Sequence, residues 1–200
     1  LRRGMHIFIR EGTTARNLLA LLPLVTPANA RLCHFCTDDR HPDTLLTEGH
    51  IDDLVRRAIA WGLDPVLAIQ MATLNTAEHF GLQETGAIAP GYRADLLVLD
   101  VLETLRVAEV YAAGQKGAEG GRFLLPPSSS QGPLRPSVHV DASAVDFTIP
   151  AGEGPARVMG VVPGQVVTQH LLLQPATRAG LVVSDPERDL LKMAVVERHR

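Results

Sequence analysis

Asp38, Asp39, Arg40 and His41 stand in succession directly after the apolar run Leu32 to Thr37 and just before Pro42. The run reads as a strand, and the proline ends regular structure beyond it. Two carboxylates at the C-terminal end of a strand are placed for ligand binding or catalysis, because in a parallel α/β architecture the loop that follows opens onto the active-site face. The same pair also suits a turn and helix cap, since Asp side chains bond nearby backbone N–H groups. A second strand, Met5 to Arg10, likewise ends in charge, with Arg10 and Glu11 followed by Gly12, Thr13 and Thr14.

The elements that must position these residues follow from pattern. In MHIFIR, Ile7 and Ile9 alternate against His6 and Phe8. The run ARNLLALLPLV has helical composition with a leucine face, and Pro23 ends or kinks it. Strand, helix and second strand form one βαβ unit. Ile51, Leu54, Val55, Ala58 and Ile59 recur at helical spacing, with Gly62 as C-cap. Asp64-Pro65 opens another helix as N-cap and first turn. Asn75 is read as the cap of a third, with Glu78 completing a capping box and Gly81 closing it. His79 on that helix is read as packed or at the surface, because nothing metal-binding stands four residues away. His50 reads as a helix-capping or packing residue.

From Ala87 the period changes to two. AIAPGYRADLLVLD and RVAEVYAAG read as two strands, with turns at Pro90-Gly91 and near Glu103-Thr104. The stretch from Gly114 to Pro136, containing PPSSSQGP, is the best linker candidate. Beyond it lie short β-like runs, VHVDASAVDFTIP among them, and DLLKMAVVERHR reads as strand or helix.

Composition excludes several classes. A net charge of −3, a pI near 6.2 and 4% aromatic residues leave no footprint for nucleic acid. No apolar run reaches the ~18 residues of a membrane span, and Leu1-Arg2-Arg3-Gly4-Met5 lacks the features of a signal peptide, so a cytoplasmic protein is expected. Cys33 and Cys36 point to opposite faces of a strand and lack the second pair of a structural zinc site, so they read as buried free thiols. The opening Leu1 and the uncapped end at Arg200 lead us to expect a fragment.

Three stretches carry a family likeness: MHIFIREGTTARNL, FCTDDRHPDTLLTEGHIDDLVRRAI, and AIQMATLNTAEHFGL running into GAIAPGYRADLLVLD. They resemble bacterial adenine deaminases of the amidohydrolase superfamily, and VDFTIPAGEGPARVMGVVPGQVVTQHLLL is similar to the start of that family's C-terminal domain. GAIAPGYRADLLVLD alone points only to the superfamily; REGTTARNL with TDDRHPDTLLTEGH is narrower. The resemblance implies an α/β fold. Residues 1–86 would be the last two strands and helices of a (β/α)8 TIM barrel, 87–122 a small β-sandwich portion, 123–136 a linker, and 137–200 the start of a β-rich α+β domain. A closed barrel needs about 250 residues, so its remaining strands and metal-binding histidines would lie upstream.

By the same resemblance, Asp38 would be the acid after strand eight that binds metal and shuttles protons, with Asp39 as the alternative ligand. Arg10 and Glu11 would contact substrate or brace the loop, and His41 and His50 would orient the metal acid. The implied cofactor is a divalent metal, Mn2+ or Fe2+, with Zn2+ as a further option. A metal lowers the pKa of bound water toward ~7, and a carboxylate touching both could carry a proton from water toward departing ammonia as C6 of adenine is attacked. Adenine is the implied substrate and purine salvage the role, in a homo-oligomeric parent without nucleic-acid or membrane partners; the fragment alone is expected to be inactive. Two alternatives stay open: another amidohydrolase acting on a cyclic amide or aminopurine, and a non-catalytic binding or assembly module. The His-x-Glu and Pro-Cys-x-x-Cys signature of zinc nucleobase deaminases is absent.

Overall fold

The computed structural model describes residues 3–126, 132 and 137–198. Two compact units divide the chain: 1–126 with 163–166, and 127–162 with 167–200. Most of the linker read at 123–136 lies outside the described residues, although Phe123 belongs to a strand.

The first unit is built on two parallel strands, β1 (Ile7–Arg10) and β2 (Cys33–Cys36), with Ile7 opposite Cys33 and Arg10 opposite Cys36. Alternation gives the pair two unlike faces. Ile9, Cys33 and Phe35 are buried in a core with Leu18, Leu54, Val55, Ala58, Ala68 and Met71, contributed by the helices. His6, Phe8, Arg10, His34 and Cys36 belong to the other face.

Between the strands, the helical run is shorter than its composition predicts. Only α1 (Leu18–Leu21) forms, followed by a 3-10 turn at Leu22–Leu24 that holds Pro23. Residues before it are held off the helix because the Asn17 side chain accepts the Arg10 N–H at 2.6 Å while the Asn17 N–H donates to Arg10 O at 2.8 Å. After β2 come α2 (Pro42–Thr47) and α3 (Ile51–Ala60). α3 buries Leu54, Val55 and Ala58 and ends as its sequence requires. Gly62 takes φ +95°, and the N–H groups of Gly62 and Leu63 donate to Ile59 and Ala58 carbonyls, a Schellman closure. α4 (Pro65–Ala72) starts with Leu67 N–H donating to the Asp64 carboxylate at 3.0 Å.

α5 (Leu74–His79) departs from expectation at its start. Thr73 occupies the cap position, and Asn75 lies buried in the first turn, its Nδ2 donating to Ala30 O at 2.8 Å and Cys33 O at 3.1 Å. A buried amide that satisfies two buried carbonyls is worth more here than an exposed cap, because an unpaired carbonyl in the core is costly. Asn75 therefore ties α5 to the start of β2.

An antiparallel sheet follows: β3 (Leu96–Val101), β4 (Arg106–Ala112), β5 (Gln115–Glu119) and β6 (Arg122–Phe123), in that order. The β3–β4 turn falls where it is expected and uses Leu105 at φ +48°. In the second unit, β7 (Ala156–Val161) pairs with β8 (Thr168–Leu173), and β9 (Ala176–Arg178) with β10 (Leu181–Val183). The β-like run 138–150 makes no ladder, only a 3-10 turn at Ala142–Ala144 and a bridge from Pro150 to Leu181. The run from Asp189 forms neither strand nor helix among its described residues. Every fully buried hydrophobic side chain among the described residues lies between Ile9 and Leu105.

Candidate functional site

The C-terminal ends of β1 and β2 bring Arg10 and Asp38 together in an ion pair. Asp38 adopts φ +62°, a left-handed conformation that Asp tolerates better than most side chains. Its side chain is 52% exposed, so a carboxylate stands open to solvent at the strand end. The neighbouring Cys36 thiol is pushed up in pKa by burial and then by the Asp38 carboxylate, against a smaller opposing effect of Arg10, and stays protonated near neutrality.

Asp39 is placed differently. Its Oδ2 accepts the Thr14 hydroxyl and the Thr14 N–H, the latter at 3.0 Å, and these bonds hold its pKa below the ordinary carboxylate value. Its Oδ1 is buried against Gly12, where a Cβ would collide with the carboxylate. Asp39 thus clamps the loop after β2 to the loop after β1.

Glu11 is also committed to structure. It is 2% exposed; Oε1 accepts Leu18 N–H at 3.0 Å, at the start of α1, and Oε2 accepts from Arg57 of α3 at 3.0 Å. Arg57 approaches Asp53 at 3.7 Å, and Asp53 accepts from the buried Arg40 at 2.8 Å. Arg40 also donates to Gly49 O at 2.6 Å. A charged chain from Glu11 to Arg40 therefore runs through α3 and supports both loops. Asp53 and Arg57 stand one helical turn apart in the sequence, a spacing that marks a pair on one helix face; that they reach inward to Glu11 and Arg40 is not visible from pattern.

The two remaining candidates sit at helix starts. His41 precedes α2, and its N–H donates to the Thr13 hydroxyl at 2.9 Å. His50 precedes α3, and its Nε2 lies 3.0 Å from the Thr37 hydroxyl, a hydrogen bond to the residue just before Asp38. Neither imidazole caps its helix.

Sequence reasoning passed over one further group, at the opposite end of the strands. His6 and His34 meet at 2.7 Å, Nδ1 to Nε2, and His79 joins them from α5, so that one ring nitrogen from each lies within 4.8 Å of the others. His34 is fully buried, and burial, with His6 and His79 nearby, lowers its pKa to about 4. These three residues could hold a metal ion. The alternation that puts His6 opposite Ile7 and Ile9 is readable in the sequence; the strand register that sets His34 beside it is not.

The family model for the amidohydrolase family matches residues 5–122. Over its whole length the chain is 51% identical to an adenine deaminase of Desulfatibacillum aliphaticivorans and 47% identical to one of Geobacillus kaustophilus. It spans 35% and 36% of those two proteins, about a third of their length. Among solved structures, 62% of the chain aligns with 36% of the β-aspartyl dipeptidase of Fervidobacterium islandicum, at 17% identity and a TM-score of 0.49. The family match covers both strand ends, the helices and the β3–β6 sheet alike, and on it the chain belongs to the amidohydrolase family.

Proposed function

We propose that this chain carries part of the active site of a metal-dependent adenine deaminase, which hydrolyses adenine to hypoxanthine and ammonia, and that Asp38 is its metal-binding, proton-carrying acid. The observation that carries the assignment is the unequal placement of the two acids. Asp39 is consumed by Thr14 and Gly12, whereas Asp38 stands exposed, engaged by Arg10. The names of the matching relatives supply the substrate.

In this reading β1 and β2 are the last two strands of a (β/α)8 barrel, with Phe8, Arg10, His34 and Cys36 facing its interior, and residues 137–200 begin a separate domain. The donors present fit a metal in part only. Asp38 supplies one carboxylate, and no group of three metal-binding side chains gathers around it among the described residues. A catalytic metal needs about three protein ligands, so the chain alone is inactive. A bound divalent metal would make hydroxide available near neutral pH. Asp38 would accept the proton of the attacking water and pass it to the leaving nitrogen, with Arg10 fixing its orientation. The Glu11 to Arg40 network and the His50–Thr37 bond would hold that carboxylate in place.

The test is ammonia release from adenine by a protein in which the barrel strands missing from this chain precede it, with manganese supplied. Asp38→Asn should lower kcat by about 10²–10⁴-fold, and Asp39→Asn should act mainly through stability. Loss of activity in Asp39→Asn with Asp38→Asn unaffected would transfer the role; activity on a dihydropyrimidine and none on adenine would overturn the substrate.

A further inference from the structure

We propose that His6, His34 and His79 form a divalent transition-metal site of the zinc type, separate from the Asp38 end of the strands. The inference is independent of the deaminase reading. His6 immediately precedes β1, and His34 lies opposite Phe8 in the strand register, four residues before Asp38 in the chain. At about 3.3 Å per residue the strand from His34 to Cys36 spans roughly 7 Å, and Asp38 lies two residues further on, beyond the end of β2. The histidine group and the acid end cannot share one ion.

Three unconnected segments deliver the rings. His6 stands just before β1, His34 lies in β2, and the third is the last residue of α5, which Asn75 fastens to β2. The ring centroids stand 4.5–5.0 Å apart. A tetrahedral zinc with bonds of 2.0–2.1 Å sets its nitrogens ~3.4 Å apart. The His6–His34 separation of 2.7 Å would open slightly, and the widest spacing of 4.8 Å would contract. The adjustment falls to His6 and His79, which are exposed, while His34 is fixed by burial and by stacking on Phe8 at 4.7 Å.

The protonation chemistry is favourable. An imidazole must be neutral to ligate, and His34 stays neutral down to pH about 4. Its Nδ1 is buried without a hydrogen-bond partner. The ion would take Nε2, the nitrogen that faces His6 Nδ1. Phe8 and Phe80 wall the group, with Phe80 edge-on to His79 at 4.9 Å. Three imidazole nitrogens with no carboxylate among them select zinc-like ions over magnesium or calcium. With only three protein ligands, a fourth position stays open to water or to a small anion.

Untagged chain stripped with EDTA should bind one equivalent of Zn2+ in calorimetry, and Co2+ in its place should give the visible absorption of a four-coordinate site. His79→Gln and His6→Gln alter exposed side chains and should keep the circular dichroism spectrum while weakening zinc at least about 100-fold. Asp38→Asn should bind zinc as the wild type does. No saturable binding by the wild type, or binding that survives both histidine substitutions, overturns the site; so does binding lost in Asp38→Asn.

Discussion

The two ends of the β1–β2 pair are set up in opposite ways. At the C-terminal end, charged groups gather: Arg10 with Asp38 in solvent, and behind them Glu11, Arg57, Asp53 and Arg40 in a linked chain. At the other end aromatic rings gather, His6, His34 and His79 packed with Phe8 and Phe80. A carboxylate keeps its charge by staying wet or by being paired, whereas an imidazole can be buried simply by shedding its proton. One strand pair thus offers an end of paired charges and a histidine-rich end.

The sharpest way to break the contrast is to unpair the charged chain. Asp53→Ala leaves Arg40, whose side chain is 2% exposed, with only the more exposed Glu48 carboxylate at 3.5 Å. Removal of one member of a buried pair costs about 3–5 kcal/mol, read as a lower urea midpoint. Arg40→Met with Asp53→Leu should recover much of that loss, because apolar replacements of similar volume leave no buried charge behind. A double variant no more stable than Asp53→Ala would mean that the network holds the fold through its hydrogen bonds to Gly49 O and not through charge.

The histidine end loses stability as pH falls, as a paired carboxylate does, but over a higher pH range. With metal removed by a chelator, His34 has a folded pKa of about 4 against 6.5 unfolded, so the unfolded chain takes up its proton first as pH falls. Stability from this residue is complete above pH 6.5 and lost progressively down to about 4, by at most about 3 kcal/mol. His34→Gln should flatten that part of the profile. A wild-type curve already flat between those pH values would show that the ring protonates in place.

How much of this was legible in the sequence divides by range. Local chemistry was readable: the Asp64–Pro65 start, the Gly62 closure, the β3–β4 turn and the charged strand ends all depend on neighbours within a few residues. Asn75 misled because its partners, Ala30 and Cys33, are more than forty positions away. His34 and His6 were overlooked for the same reason, since only the parallel register makes them adjacent. The run 138–150 alternates like a strand, but alternation needs a partner strand to become a sheet, and the run gains a bridge at Pro150 and scattered backbone bonds in place of a ladder. Asp38 and Asp39 look interchangeable in sequence; Gly12 and Thr14, more than twenty residues earlier, tell them apart.

That distinction gives a smaller test. Gly12→Ala places a methyl group where the Asp39 carboxylate lies, with Thr37 O 3.0 Å away on the other side. Overpacking of this kind costs about 1–3 kcal/mol, and the displaced Asp39 should release Thr14. The effect should fall on thermal stability and leave zinc binding at the histidine end unchanged; a Gly12→Ala chain that loses zinc would show that the two ends are coupled through the strands.

The smallest effect on stability should come from the pair that matters most for the proposed chemistry. Arg10 and Asp38 are 27% and 52% exposed, and ion pairs of that kind contribute only about 0.2–1 kcal/mol. Arg10→Ala should therefore move the urea midpoint barely at all and only at low salt, where screening is weak. In the longer protein the same change should lower kcat for adenine, because Asp38 loses the group that orients it while keeping its exposure. A large stability loss in Arg10→Ala, with no change in turnover, would make Arg10 a brace like Glu11 and would leave Asp38 to be positioned by its left-handed backbone and by the His50–Thr37 bond.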